Sequence, residues 1–538
     1  MGRQLNARRS AAAALALVGG FCASSPAFAG DDAGLQALPT YDIQLCCQLC
    51  PEAANPATYA SSSYLEDFRV LQQGRDGWLF RTETDLGTHF EVSAESVAQL
   101  RRLAAALRAR GSQLVIVPQA PRGLMDSDKL TATQRKHYDL GAAKRSFAQA
   151  LAQIRQAGVV VPPLDQLVDE HKGYEYFFRR DHHWTPQGSE HTAKLVAASV
   201  QQLPAFQGIP RKNFVTKPGM LIAKPGTLQK VASQICGGVY SMQYVTGYTT
   251  EPADGGESAS ALLGDDAKAD DATGGGLLKT GASGDATGGG LLDASGDGGG
   301  LLGGEDDLVP QIVLVGTSNS DSKGGYNFAG YLEQYMGADV LDVAITGGSF
   351  DGSLLHYLPS DLYQKHPPKI IIWEMPWQDW PSSDKSPYKS VRQAIPLIQD
   401  GCEGRPAVLT STINVKAGSN ELLFNGGGQA KPLVGSHYWL DLQFSDPSVK
   451  DLSAVIWYFS GQKEALKLHF KQYVDNGGRF VSEFRNNRPD YAKATFMGAT
   501  LEIDQPPAKP MTVTAKVCEA EGPGQQTAAL EDNTRAHN

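Results

Sequence analysis

Apolar and polar positions change rhythm along this chain, and the changes divide it. AESVAQLRRLAAALRARG and TATQRKHYDLGAAKRSFAQALAQIRQAG place apolar side chains three and four residues apart, and each reads as one helix. After them come QLVIVPQAP and VVVPPL, short apolar runs that read as buried strands. TPQGSEHTAKLVAASVQQL predicts a further helix, with Thr185 as N-cap and Pro186 at its first position. QIVLVGTS (strand), YNFAGYLEQYMG (helix), ADVLDVAITGG (strand) and PPKIIIWEMPW (strand) continue the alternation. Repeated strand–helix–strand order predicts an α/β domain with a mostly parallel sheet and helices on both faces.

Near residue 390 the period drops to two. AVLTSTINV, NELLFNG, SHYWLDLQFS, LSAVIWYFSG, ALKLHFKQ, RFVSEFR, ATLEIDQ and MTVTAKVC are short and separated by Gly, Asn, Asp and Pro. That spacing predicts an antiparallel β-sandwich over 389–520. Residues 251–309 follow neither rhythm. DATGGGLL occurs there at 271 and again at 285, and GGGLL returns at 298. Such a stretch buries too little apolar surface to offset its ordering entropy and is expected to be a disordered insertion within the α/β domain, 30–388. The polar tail, 521–538, is expected to be disordered as well.

The amino terminus adds an address. Arg3, Arg8 and Arg9 precede AAAALALVGGF, and Ala27-Phe28-Ala29 fits a cleavage site, so 1–29 reads as a secretory signal peptide. Its apolar run is shorter than the roughly 18–20 residues of a membrane span, and Phe21 before Cys22 argues against a lipoprotein site. An exported protein, not itself transmembrane, is expected, and export permits disulfides. Cys402 and Cys518 bracket the sandwich and are expected to close it. Cys236 then pairs with one of Cys46, Cys47 and Cys50, of which Cys50 stands as the candidate. The formal net charge of −10 is misleading about partners, because residues 251–309 hold 13 Asp/Glu against 2 Lys. Outside that stretch and the arginines of the leader the chain is close to neutral. No nucleic-acid partner is expected, whereas an acidic polymer stays open as a substrate.

Two stretches carry candidate chemistry. QIVLVGTSNS puts Gly316-Thr317-Ser318 at the end of a buried strand, where open α/β sheets collect ligands. A serine there presents its hydroxyl, although an N-cap or phosphate-binding turn explains the three residues alone equally well. YFFRRDHHWTPQG places Asp181 two residues before His183, and a carboxylate on one imidazole nitrogen leaves the other free to act as a base. His182 competes for that role, and Trp184 points to a shaped pocket for His183. A metal site from Asp181, His182, His183 and His191 lacks the usual ligand spacing, so neither metal nor cofactor is expected. A strand-end serine and an Asp-x-His in one α/β domain make serine-dependent acyl chemistry the leading class.

Longer stretches now resemble a known family. CCQLCPEA, QGRDGWLFRTE, YFFRRDHHWTPQG, VLVGTSNS, YNFAGYLEQY, ADVLDVAITGGSFDGSLL and IIWEMPW are similar to the AlgX-type alginate O-acetyltransferases, and SDPSVKDLSAVIWYFSG and DNGGRFVSEFRN to their carbohydrate-binding module. The resemblance implies an SGNH-hydrolase-like domain, circularly permuted so that Asp181, the orienting carboxylate, and His183, the general base, precede the nucleophile Ser318, followed by a polysaccharide-binding sandwich. It implies acetylation of mannuronate hydroxyls of alginate in the periplasm, beside a membrane-bound acyl-transfer protein and other components of the secretion complex. Trp457 and Lys463 fall where sugar contacts are expected, although apolar neighbours equally fit Trp457 to the core. Gly347 and Gly348 are oxyanion candidates or a tight turn. Trp377 and Trp380 either stack on sugars or pack beneath a loop. Two rival classes are a polysaccharide acetyl-esterase and a non-catalytic scaffold that binds the polymer.

Overall fold

Near-continuous apolar strands need cover on both faces, and four such strands form the parallel sheet of the α/β domain. Their order is Gln113–Pro118, Ile370–Met375, Ile312–Val315, Leu341–Asp342. Val115 pairs with Ile372, and Leu314 with both Ile372 and Asp342, so all four chains leave at one edge. The computed structural model describes residues 41–42, 49–169, 173–256, 309–377, 387–428 and 430–520. The leader, Cys46, Cys47, Trp380, the tail from 521 and the insertion between 257 and 308 lie outside the described residues.

Several elements differ from their sequence pattern. The long second helix is two, Ala132–His137 and Leu140–Arg155, because Tyr138 turns into the core and Asp139 caps the second one, accepting from Ala142 N at 2.8 Å. VVVPPL yields only an isolated bridge from Val160 to Val115, since Pro162 and Pro163 have no N–H for a ladder. ADVLDVAITGG is a strand only at Leu341–Asp342, and beyond it the backbone turns, with Gly347 at φ +76°. An antiparallel pair, Phe214–Lys224 with Gln243–Pro252, carries no apolar alternation because its first strand is mostly exposed. That pairing also takes in Glu251 and Pro252, so the predicted insertion begins after them.

All eight segments of the C-terminal region form strands, in two four-stranded antiparallel sheets. One orders Ala407–Asn414, Thr512–Glu519, Tyr438–Phe444, Arg479–Glu483, and the other Gly418–Phe424, Phe496–Ile503, Asp451–Tyr458, Lys463–His469. Cys402 is bonded to Cys518 and Cys50 to Cys236. Charged groups buried at the seam bind the sandwich to the α/β domain. Arg392, 4% exposed, donates to Glu464 at 2.5 Å and to Glu483 O at 3.0 Å, and Arg102 reaches Glu483 at 2.6 Å.

Candidate active site

Ser318 leaves the Ile312–Val315 strand in a turn held by Glu374, which stands near the end of the neighbouring strand and has no exposed surface. Glu374 Oε2 accepts from Thr317 N (2.9 Å), Thr317 Oγ1 (3.0 Å) and Ser320 Oγ (3.1 Å). A Cβ on Gly316 would lie 2.9 Å from that same oxygen, which explains the glycine. The turn is therefore set from below, and Ser318 Oγ is left half-buried at the sheet edge.

The Asp181–His183 loop arrives from the other side. Ser318 Oγ lies 2.8 Å from His183 Nε2, while His183 Nδ1 is hydrogen-bonded to Asp181 Oδ1. An ionised carboxylate only accepts, so the proton sits on Nδ1 and Nε2 is left to accept from the serine hydroxyl. Burial alone would raise the Asp181 carboxyl, but His183, His182 and Lys224 around it hold it well below the usual carboxylate range. Its second oxygen accepts from Thr227 N at 2.7 Å, the first amide of the Thr227–Cys236 helix, where the helix dipole favours a negative charge. Gly226, before that helix, has Arg180 O only 1.9 Å from where a Cβ would stand.

Arg122 fixes the loop from beneath. It is 1% exposed and donates to four carbonyl oxygens, of Leu79 (2.8 Å), Phe178 (2.5 Å), Arg179 and Asp181 (3.0 Å). Its guanidinium stacks 4.4 Å from the Trp78 ring centroid, and burial lowers its pKa to about 10 against the pull of Asp85. Trp184, which points to a shaped pocket for His183 in the sequence, is fully buried and donates Nε1–H to Asn319 O at 2.8 Å. An indole N–H taken out of water needs an acceptor, and this one ties the histidine loop to the nucleophile turn. Sequence reasoning passed over Arg122, Thr227, Glu374 and Tyr326. Tyr326 stacks on His183 at 5.4 Å and bonds Lys224. Arg122 and Glu374 are charged residues within apolar surroundings, a signal available in the sequence; Thr227 carries none.

The remaining candidates divide. His182 donates to or accepts from Thr227 Oγ1 at 2.7 Å, and burial, then the neighbouring His183, keeps it neutral. Asp181, His182 and His183 offer ligand atoms within 4.8 Å of one another, but the hydrogen bonds above already engage them, and His191 stacks on Tyr174 instead. Gly348 N donates to Ile345 O at 3.1 Å, so that amide is used within its own turn. Trp377 packs edge-on against Phe90 and Phe147 and also lines a shallow recess with Arg81, Gln119, Phe177 and His182.

On the sandwich, the Asp451–Tyr458 strand buries Leu452, Ala454, Ile456 and Tyr458 and turns Trp457 outward. Trp457 stands directly opposite Lys463, whose ammonium is 5.8 Å from the ring centroid. On its other side it faces Gly498, which in turn faces Phe424, 54% exposed. Two aromatic residues thus flank a glycine across three strands, roughly 10 Å from backbone to backbone. Phe424 was not singled out from sequence, because a bulge after Glu421 shifts its side of the strand.

Both regions of the chain resemble known proteins. Residues 71–272 and 292–377 match the family model described as SGNH hydrolase-like domain, acetyltransferase AlgX, and residues 401–529 match that of a C-terminal carbohydrate-binding module. The alginate biosynthesis protein AlgX of Pseudomonas aeruginosa is 38% identical over 505 residues, covering 94% of this chain and 95% of its own. A solved structure of Pseudomonas aeruginosa AlgX superposes with a TM-score of 0.71, covering 88% of this chain and all of that one. The probable alginate O-acetylase AlgJ of Pseudomonas putida is 29% identical over 329 residues, 58% of this chain and 72% of its own. With the family model, the sequence identity and the superposed structure in agreement along nearly the whole chain, this protein belongs to the AlgX family.

Proposed function

We propose that this chain is a periplasmic O-acetyltransferase that acetylates mannuronate O-2 or O-3 hydroxyls of alginate, through an acetyl-serine intermediate, during alginate biosynthesis and export. The observation that carries it is the unbroken hydrogen-bonded line Asp181–His183–Ser318 at the strand edge of an AlgX-family domain. Kinship to a probable alginate O-acetylase supports acetyl transfer, and the attached carbohydrate-binding module supports a polymer acceptor. The acetyl donor is expected from other acetylation proteins and the neighbours from the secretion complex. No helix among the described residues is long and apolar enough to cross a membrane.

In the first step His183 Nε2 takes the Ser318 hydroxyl proton as Oγ attacks the donor's acetyl carbonyl. The bond to the leaving group breaks, and His183 returns the proton to that group. In the second step His183 takes the proton of a mannuronate hydroxyl, whose oxygen attacks the acetyl-serine, and Ser318 Oγ leaves with the proton. The Ser318 N–H is the candidate donor for the oxyanion, and one good donor contributes about 3–4 kcal/mol. The test is intact-mass analysis of short oligomannuronates incubated with the purified protein and a small activated acetyl ester, with Ser318→Ala alongside. Acetylated sugar from wild type alone is the expected result. Free acetate with unmodified sugar would make the protein an esterase, and retained binding without any turnover would make it a scaffold.

A further inference from the structure

The sandwich reaches the catalytic edge at one loop. After the Leu341–Asp342 strand the chain turns alongside the nucleophile: Ile345 N donates to Gly316 O at 3.2 Å, and Thr346 N and Oγ1 donate to Asp321 Oδ2 at 3.0 and 2.6 Å. The next residue is Gly347, in the left-handed region at φ +76°. A Cβ there would lie 2.7 Å from Tyr473 Cδ2, so the tyrosine ring rests on the glycine backbone. Tyr473 belongs to the sandwich, in the loop between the Lys463–His469 and Arg479–Glu483 strands.

That loop is held on both sides of the ring. Val474 is 1% exposed and fills the space over Gly352, His356 Nδ1 donates to Asp475 O at 2.6 Å, and Lys450 donates to Val474 O at 2.9 Å. Tyr473 nevertheless keeps 43% of its surface exposed. Two residues earlier Lys471 is exposed and makes no salt bridge among the described residues. Val474 N donates to Lys471 O at 2.9 Å, so one tight turn carries both Lys471 and Tyr473. A fixed, exposed aromatic ring beside a cation offers an apolar face for a pyranose and a charge for its carboxylate.

We propose that Lys471 and Tyr473 form a uronate-binding subsite at the rim of the Ser318 site, so that the C-terminal module completes the acceptor groove. This rests on the proposed transfer to a uronate polymer and adds to it the residues that hold the sugar where it leaves the catalytic centre. Tyr473 and Lys471 are positioning residues, since neither touches the serine or the histidine.

The test compares Tyr473→Ala, Tyr473→Phe and Lys471→Gln with wild type, using oligomannuronate as acceptor and a small activated acetyl ester as donor. Tyr473→Ala is expected to raise the KM for oligomannuronate about tenfold, the size of effect seen when one aromatic anchor is truncated. Tyr473→Phe should stay near wild type, Lys471→Gln should rise a few-fold, and hydrolysis of the small ester should be unchanged in all three. Titration of oligomannuronate into the same substitutions on a Ser318→Ala background reads binding without chemistry. An unchanged KM and affinity in Tyr473→Ala would overturn the subsite. Equal loss of ester hydrolysis would also overturn it, making Tyr473 a docking contact between the domains. If wild type transfers no acetyl group, the acetyltransferase reading fails, and the binding titration still decides the subsite.

Discussion

The α/β domain and the sandwich treat polar side chains in opposite ways. At the strand edge Asp181, His183, Arg122 and Glu374 are buried and each is held by several partners, so the reacting groups keep one arrangement. On the sandwich face Trp457, Lys463 and Phe424 stand outward, held by little more than strand register. Chemistry needs groups fixed to a few tenths of an ångström, whereas holding a flexible polymer needs a surface that tolerates its motion. On the proposed function, loss of the first group is expected to remove turnover and loss of the second only to weaken capture.

Substitutions can break that comparison, beginning at its stronger end. Asp181→Asn keeps the shape but upsets the imidazole tautomer, and acetyl transfer is expected to fall about 10⁴-fold with little change in oligomannuronate affinity; steady-state kinetics beside a binding titration checks this. Arg122→Met leaves four carbonyl oxygens without their donor, and a loss of about 3–5 kcal/mol in denaturant-measured stability is expected. Glu333, 3% exposed on the Phe328–Met336 helix, has its pKa pushed by burial up to about 8, against the bond from Val340 N. The folded chain therefore holds that proton where the unfolded chain has lost it, so wild-type stability falls as pH rises from the ordinary glutamate value through about 8. Glu333→Gln removes this slope, and its advantage over wild type should grow by about 2–3 kcal/mol between roughly pH 6 and pH 8 in urea titrations.

Effects on the open face should be smaller. Trp457→Ala is expected to weaken oligomannuronate binding about tenfold while hydrolysis of a small ester is unaffected. Lys463→Arg sharpens the contrast in the other direction: a planar guanidinium can grip a carboxylate with two bonds, and a few-fold gain in affinity is expected by calorimetry. Loss of ester hydrolysis in either substitution would mean that the sandwich face supports the catalytic edge instead of acting apart from it.

What could be seen in the sequence follows the same division. Every short alternating segment after residue 400 is a strand, because in a sandwich one face is wet and the pattern is written residue by residue. The Pro186–Val200 helix begins where Thr185 and Pro186 said it should, Thr185 accepting from Gly188 N at 3.1 Å. Asp181, His183 and Ser318 were legible because their residue types are chemically distinctive, and they meet across 135 residues. The Phe214–Lys224 strand was not, since FVTKPGMLIAK is solvated along most of its length and pairs through its backbone and a few polar side chains. Nor was the clamp on Asp181, because Thr227 contributes a main-chain amide that any residue except proline would supply. Trp184 was ambiguous for the reverse reason: beside His183, a buried indole looks the same in sequence whether it shapes a pocket or staples two loops, and here it does the stapling.

The Thr227–Cys236 helix acts as a strut. Its first amide carries the aspartate, and its last residue is pinned by sulfur to Cys50. Assembly of the catalyst and thiol oxidation are therefore joined in one element. A freshly made chain that has not met an oxidising compartment possesses every reacting group, yet the strut behind Asp181 is fastened at one end only. Reduction of the purified protein, or Cys236→Ser, is expected to cost acyl-serine formation before it costs the far-UV signal of the sheets, so that the bond between two distant cysteines governs the order at Asp181.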